Sequence, residues 1–216
     1  MKDFPMFTTE YGVASLLMKE IPYKETAYIV IQSSEQPEEL LKECVSFCRI
    51  CGAEKIYASG HEYLEQYPLH SIIYEMKGEA WVDESKVEHL WPVTKETVGR
   101  WREICNKRMH PIDNSATLES RDEKEILETG DACFVHRNGT LLGIGWIRDG
   151  ELLELASAVP GAGENVMHTL MSIMPGQVLK LQVVSTNLRA ISLYERLGFI
   201  KTAEISRWFQ VHPDKK

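Results

Sequence analysis

Apolar and polar positions change period repeatedly along the first third of the chain. Residues 14–21 and 27–33 read as strands, the second dense in Tyr28, Ile29, Val30 and Ile31, with Pro22-Tyr23-Lys24-Glu25 connecting them. The period then lengthens to that of a helix. Ser34 is placed to cap it, Pro37 sits in its first turn, Leu41, Cys44, Val45 and Cys48 form its apolar stripe, and Gly52 ends it. A strand over 55–58, a short helical piece over 61–66 and a strand over 71–76 follow.

Residues 79–95 mix acids with Trp81, Trp91 and Pro92 and show no clear period, which predicts a boundary segment partly packed on a neighbour. Beyond it, 95–109 reads as a helix with Val98, Trp101, Ile104 and Cys105 on one side, and a second helix runs over 119–128. Three strands come next, 132–137, 140–147 and 151–159. Asn138-Gly139 and Asp149-Gly150 separate them, and such dipeptides suit tight hairpin turns because both turn residues take positive φ. The pattern predicts an antiparallel meander.

After the meander, Val159-Pro160-Gly161-Ala162-Gly163-Glu164-Asn165 leads into a helix with the stripe Val166, Met167, Leu170, Met171 and Met174, stopped by Pro175-Gly176. Glycines let a backbone approach a ligand, and the free amides at a helix start suit an anion. The chain closes on a strand, a loop carrying Asn187, a helix with Ala190, Ile191, Tyr194 and Leu197 in phase, and Gly198-Phe199 restarting a strand. Strand, helix, strand, short helix, strand therefore occurs in both the first third and residues 151–211. An internal duplication explains this, and so does the general tendency of small α/β segments to alternate elements.

The spacing Asn187-x-x-Ala190-x-x-x-Tyr194-x-x-x-Gly198-Phe199, with the glycine loop upstream of it between a strand and a helix, resembles the GNAT superfamily, the acetyl-CoA-dependent N-acetyltransferases. The resemblance implies an α/β (α+β) protein: a GNAT-like mixed sheet flanked by helices over 90–216. An α/β domain over 1–80 precedes it, readable as a degenerate GNAT-like half repeat. It further implies acetyl-CoA as the donor. Gly161, Ala162, Gly163, Glu164 and Asn165, with Val159, would hold the pyrophosphate. Strand amides around Leu155 to Ala158, those of Ala156, Ser157 and Ala158 among them, would polarise the carbonyl and pair with pantetheine if splayed by a bulge, and Asn187 and Tyr194 would face the pantetheine arm and the sulfur. Two positions depart from the family pattern. A glutamine or arginine is usual where Ala158 stands, and Glu164 brings a negative charge close to the expected phosphates, although a first-turn glutamate also stabilises a helix.

Acyl transfer from a thioester to an amine needs a deprotonated amine, because an alkyl amine with pKa near ~10 is mostly protonated at neutral pH. Glu154, in the third meander strand, is the candidate base; alternation with Leu153 and Leu155 allows it an outward face equally well. Tyr194 is the candidate acid for the departing thiolate, its phenol staying protonated to about pH 10, or else a core aromatic. Asn187 reads as a helix cap as well as a ligand. None of the cysteines lies in these motifs, which favours direct transfer in a ternary complex; Cys133 is the least implausible exception. His136 and His168 are assigned no role.

A formal net charge of −8 and a sequence pI near 5.4 argue against a nucleic-acid partner and favour, weakly, a cationic acceptor. No run is long and apolar enough for a signal peptide or a membrane span, so a cytoplasmic, membrane-free protein is expected. Five cysteines fit a reducing compartment. Cys44, Cys48 and Cys51 share helical spacing without a completing ligand set, so they are expected as buried apolar residues on one helix face, with no metal. The expected activity is transfer of an acetyl group from acetyl-CoA to a primary amine of a small-molecule or peptide acceptor. The alternative is a non-catalytic acyl-CoA-binding or regulatory protein of the same fold. Oligomeric state, homo-oligomers included, is left open.

Overall fold

The chain folds into two units in a computed structural model that describes residues 5–211. One unit runs up to Ile73 and takes in the stretch from Glu204; the other is Tyr74–Ala203.

In the first unit, β1 (Met6–Thr9) and β2 (Gly12–Leu17) form an antiparallel pair, and a one-turn helix α1 (Ile21–Lys24) occupies the expected connection. Strand β3 (Thr26–Ser34), helix α2 (Pro37–Ile50), strand β4 (Lys55–Ser59), a 3₁₀ turn (Glu62–Gln66) and strand β5 (Leu69–Glu79) follow. β3 and β4 are parallel, with Thr26 opposite Lys55, and parallel neighbours need a crossover, which α2 supplies. That helix buries Leu40, Leu41, Cys44 and Cys48 against Ile29, Ile31 and Ile56. Two local expectations change. Gln36 takes the N-cap position and Ser34 Oγ accepts from its amide at 3.0 Å, while Cys51, at the C-cap, is exposed rather than on the buried face.

The second unit holds β6 (His89–Pro92), α3 (Val98–Met109), a 3₁₀ turn (Ser120–Asp122) leading into α4 (Glu123–Thr129), and the strands β7 (Ala132–Arg137), β8 (Thr140–Arg148) and β9 (Glu151–Ser157). Then come α5 (Gly163–Met171), β10 (Val178–Val184), α6 (Leu188–Arg196) and the start of β11 (Ile200–Gln210). Its strands lie in the order β11-β5-β10-β9-β8-β7-β6. Both meander turns form as expected, with positive φ at Asn138, Gly139, Asp149 and Gly150.

The stretch 79–95 is more structured than a boundary segment. It contains a 3₁₀ turn (Glu84–Lys86) and β6, which pairs antiparallel with β7 from His89 opposite His136 to Pro92 opposite Cys133. β6 gave no period-2 signal because it is the last strand of the sheet and all four of its residues are exposed. The strand expected over 71–76 is longer, and β5 begins in the first unit and ends in the second, whereas β11 does the reverse. The expected divisions at 80 and 90 therefore differ from the units observed: a change of period marks where an element lies, not which strand it will neighbour.

Helices cover both faces of the second unit's sheet. Val166, Met167, Leu170 and Met171 of α5 pack with Ile191, Leu193, Tyr194 and Leu197 of α6 over Val135, Leu142, Leu152 and Leu181. Val98, Trp101, Ile104 and Cys105 of α3 and Ile126 of α4 cover Ala132, Ile144, Trp146 and Ala156 from the other side. Gly143 and Gly145 of β8 lie under α5, where a Cβ would meet Val166 Cγ2 at 2.6 Å and Leu170 Cδ1 at 2.4 Å. Among the described residues no helix is long and apolar enough to cross a membrane.

Candidate active site

β9 and β10 start as parallel neighbours and then separate. Lys180 pairs with Glu151 and Leu181 with Leu152, yet β9 continues to Ser157 and β10 to Val184 without further register partners between them. A bulge accompanies the parting: Trp146 faces Glu154 and Ile147 faces Leu152, so Leu153 is the extra residue of β9. Opposite residues of an antiparallel pair alternate between hydrogen-bonded and free edges. The Ala158 amide donates to Leu142 O at 2.7 Å, which puts the backbone groups of Ala156 and Ala158 on β8 and leaves those of Leu155 and Ser157 facing the gap.

Glu154 sits at this gap. The residue keeps some exposure, but its carboxyl is enclosed, and burial raises its pKa from the ordinary 4.5 to about 7 although the Cys105 thiol of α3 pulls it the other way. Burial and the neighbouring Glu154 charge together push the Cys105 thiol well up. The Tyr194 hydroxyl on α6 is raised by burial first and by Glu154 second. Groups from α3 and α6, which cover opposite faces of the sheet, thus come within electrostatic reach of one carboxyl where the strands part. Tyr194 is also a core aromatic, its ring 5.9 Å from that of Phe199 at 50°.

The glycine loop connects β9 to α5. Gly161 has φ of 81°, and nothing lies within 4 Å of the position its Cβ would take, so the loop's outer side is open. Ala162 stands at the N-cap, and Gly163, Glu164 and Asn165 form the first turn, whose amides have no acceptor within the helix. Glu164 is ion-paired with Lys86, which holds its carboxyl below the usual range; Arg196 of α6 adds to that lowering. Lys86 is brought there by a strap running over α5. The Asp83 amide donates to His168 Nδ1 at 3.2 Å, the Glu88 amide to Thr169 Oγ1 at 2.9 Å, and Asn165 Nδ2 to Lys86 O at 3.1 Å. At the loop's other end the Arg108 guanidinium of α3 donates to the Ala158 carbonyl.

Asn187 follows β10 and caps α6, its Oδ1 accepting from the Ala190 amide at 3.2 Å, while Thr186 Oγ1 donates to Asp113 Oδ2 at 2.8 Å. Of the residues expected at the site, Glu154 and Tyr194 are within electrostatic reach of each other. Ala156, Ser157, Ala158 and Val159 lead from that point into the loop Gly161–Asn165, and Asn187 stands past the end of the facing strand. Cys133 lies elsewhere, buried with its Sγ 3.7 Å from Gly145 O. His168, given no role, fastens the strap. Cys105, Arg108 and Lys86 were not anticipated as neighbours of the site, for they lie on elements remote in sequence and belong to no motif. Among the described residues no cluster of His, Cys, Asp and Glu is arranged to hold a metal ion.

No family model and no curated protein matches this sequence. Solved structures do resemble its fold. A GCN5-related N-acetyltransferase from Anabaena variabilis superposes with a TM-score of 0.60 at 12% identity, over 92% of this chain and 58% of that one. A GCN5-related N-acetyltransferase from Sphaerobacter thermophilus gives 0.56 at 12% identity, over 94% and 78%. A GNAT-family acetyltransferase from Colwellia psychrerythraea gives 0.50 at 14%, over 95% and 84%. With its parted parallel strands, its loop at a helix start and these likenesses, the chain has the fold of the GNAT-type N-acetyltransferases.

Proposed function

We propose that the protein transfers an acetyl group from acetyl-CoA to a primary amine within a ternary complex. The observation that carries this reading is the parting of β9 from β10 beside Glu154, an enclosed carboxyl within electrostatic reach of the Tyr194 hydroxyl. The cleft suits such a donor: an open strand edge accepts an amide-bearing arm, and a glycine loop with open space before a helix start accepts a diphosphate. Acetyl-CoA supplies the acetyl group as an activated thioester. The free backbone edge at Leu155 and Ser157 pairs with the arm and polarises the thioester carbonyl.

Glu154, with a pKa of about 7, takes a proton from the ammonium form of the acceptor at neutral pH. The freed amine nitrogen attacks the carbonyl carbon, and the carbon–sulfur bond breaks with its electron pair leaving on sulfur. Tyr194, kept protonated by burial, donates its proton to that thiolate and recovers one from solvent or from the product nitrogen. The acidic surface attracts a cationic acceptor.

Titration with acetyl-CoA, followed by a thiol-release assay over a panel of small amines and peptides, tests the reading. Binding with amine-dependent thiol release is expected; a folded protein that binds no acetyl-CoA overturns it. The departures at Ala158 and Glu164 favour a second reading, a non-catalytic acyl-CoA binder, for which the same titration gives binding and no amine yields thiol release.

A further inference from the structure

Resting on the acyl-CoA reading, we propose that two cations from outside the glycine loop complete its diphosphate site: Arg108 binds the diphosphate directly, and Lys86 cancels the charge of Glu164. The loop itself carries no cation between Ala158 and Asn165, and its one charged residue is an acid. A diphosphate approaching the first turn of α5 would meet that carboxylate beside the amides it needs.

Both ends of the loop are supplied from elsewhere. Arg108 is exposed on α3, and its guanidinium reaches the carbonyl of Ala158 where the loop leaves β9. Among the described residues it has no carboxylate partner, so a guanidinium with five donors rests on a neutral acceptor. Guanidinium is well matched to phosphate oxygens and keeps its charge at every working pH. Lys86 is held at Glu164 by three bonds of the strap to α5, through His168, Thr169 and Asn165, so its position is built rather than incidental.

The roles differ, and so do their tests. Binding of acetyl-CoA, acetyl-dephospho-CoA and S-acetyl-pantetheine is measured by calorimetry on wild type, R108M, K86M, E164Q and the K86M/E164Q pair, with circular dichroism as a check of folding. R108M is expected to weaken acetyl-CoA and acetyl-dephospho-CoA alike, by about tenfold, the size of one charge-assisted hydrogen bond, and to leave S-acetyl-pantetheine unchanged. K86M is expected to weaken the two nucleotides similarly, E164Q to tighten them, and the pair to return to wild-type affinity or better. Wild-type nucleotide affinity in R108M overturns the role of Arg108, as does an equal loss for S-acetyl-pantetheine. A K86M/E164Q pair no tighter than K86M overturns the cancelling role of Lys86. Wild-type protein that binds none of the three compounds overturns the acyl-CoA reading instead.

Discussion

The Cys105 thiol of α3 favours the ionised form of the Glu154 carboxyl on β9, opposing the burial that drives that carboxyl toward neutrality. Burial outweighs it, and the Glu154 pKa is raised from 4.5 to about 7. The acetyl-transfer rate should rise through a limb centred near pH 7 as the base ionises, and Glu154→Gln should lower kcat by about 10²-fold or more and abolish that limb. A pH–rate profile of both proteins checks this.

Cys105→Ala removes the thiol that favours the ionised form, so the Glu154 pKa should climb above its present value and the limb shift to higher pH, with acetyl-CoA affinity unchanged. The thiol is buried in an apolar cluster, so some stability is lost as well. The profile separates the two effects.

A raised folded-state pKa also fixes the sign of a stability effect. Between pH 4.5 and about 7 the unfolded chain has released the Glu154 proton while the folded chain retains it, so stability falls as pH rises through this window and is constant above it. The full shift corresponds to roughly 3 kcal/mol, an upper figure. Glu154→Gln should unfold at higher denaturant than wild type at pH 8 and lose that advantage at pH 4, which urea titrations at the two pH values would reveal.

Tyr194→Phe keeps the ring against Phe199 and removes only the hydroxyl. An enzyme should lose kcat by about 10²-fold with little change in acetyl-CoA affinity. Turnover at the wild-type rate would transfer the acid role to another group.

Gly143→Ala places a methyl 2.5 Å from the Ala156 carbonyl and 2.6 Å from Val166 Cγ2. Backbone cannot step aside as a flexible side chain does, so a destabilisation of about 1–3 kcal/mol is expected, measured as a lower Tm. An unchanged Tm would mean that α5 shifts freely on the sheet.

The features legible in the sequence are those whose cause is local. Asn138-Gly139 and Asp149-Gly150 announced their turns because positive φ restricts the residues that fit, and the stripe from Val166 to Met171 announced a buried helix face. Tyr194 was placed by spacing. The facing of Glu154 was ambiguous under strict alternation, and the reason is visible: the bulge at Leu153, the residue just before it, breaks the alternation. Arg108, Lys86 and Cys105 carry no local signature, since each reaches the site from an element whose place depends on the whole fold. β6 was missed for want of a buried face.

Strand β10 has β9 on one side and β5 on the other, and β5 lies ahead of every residue by which the site was first recognised. A gene fragment begun at residue 90 would encode the loop, Glu154 and Tyr194 intact, yet its product would leave β10 as an uncovered margin and remove Met76 and Ala80 from the core beneath α5. Expression boundaries for this half consequently belong at or before Tyr74, and the strap bearing Lys86 comes with them.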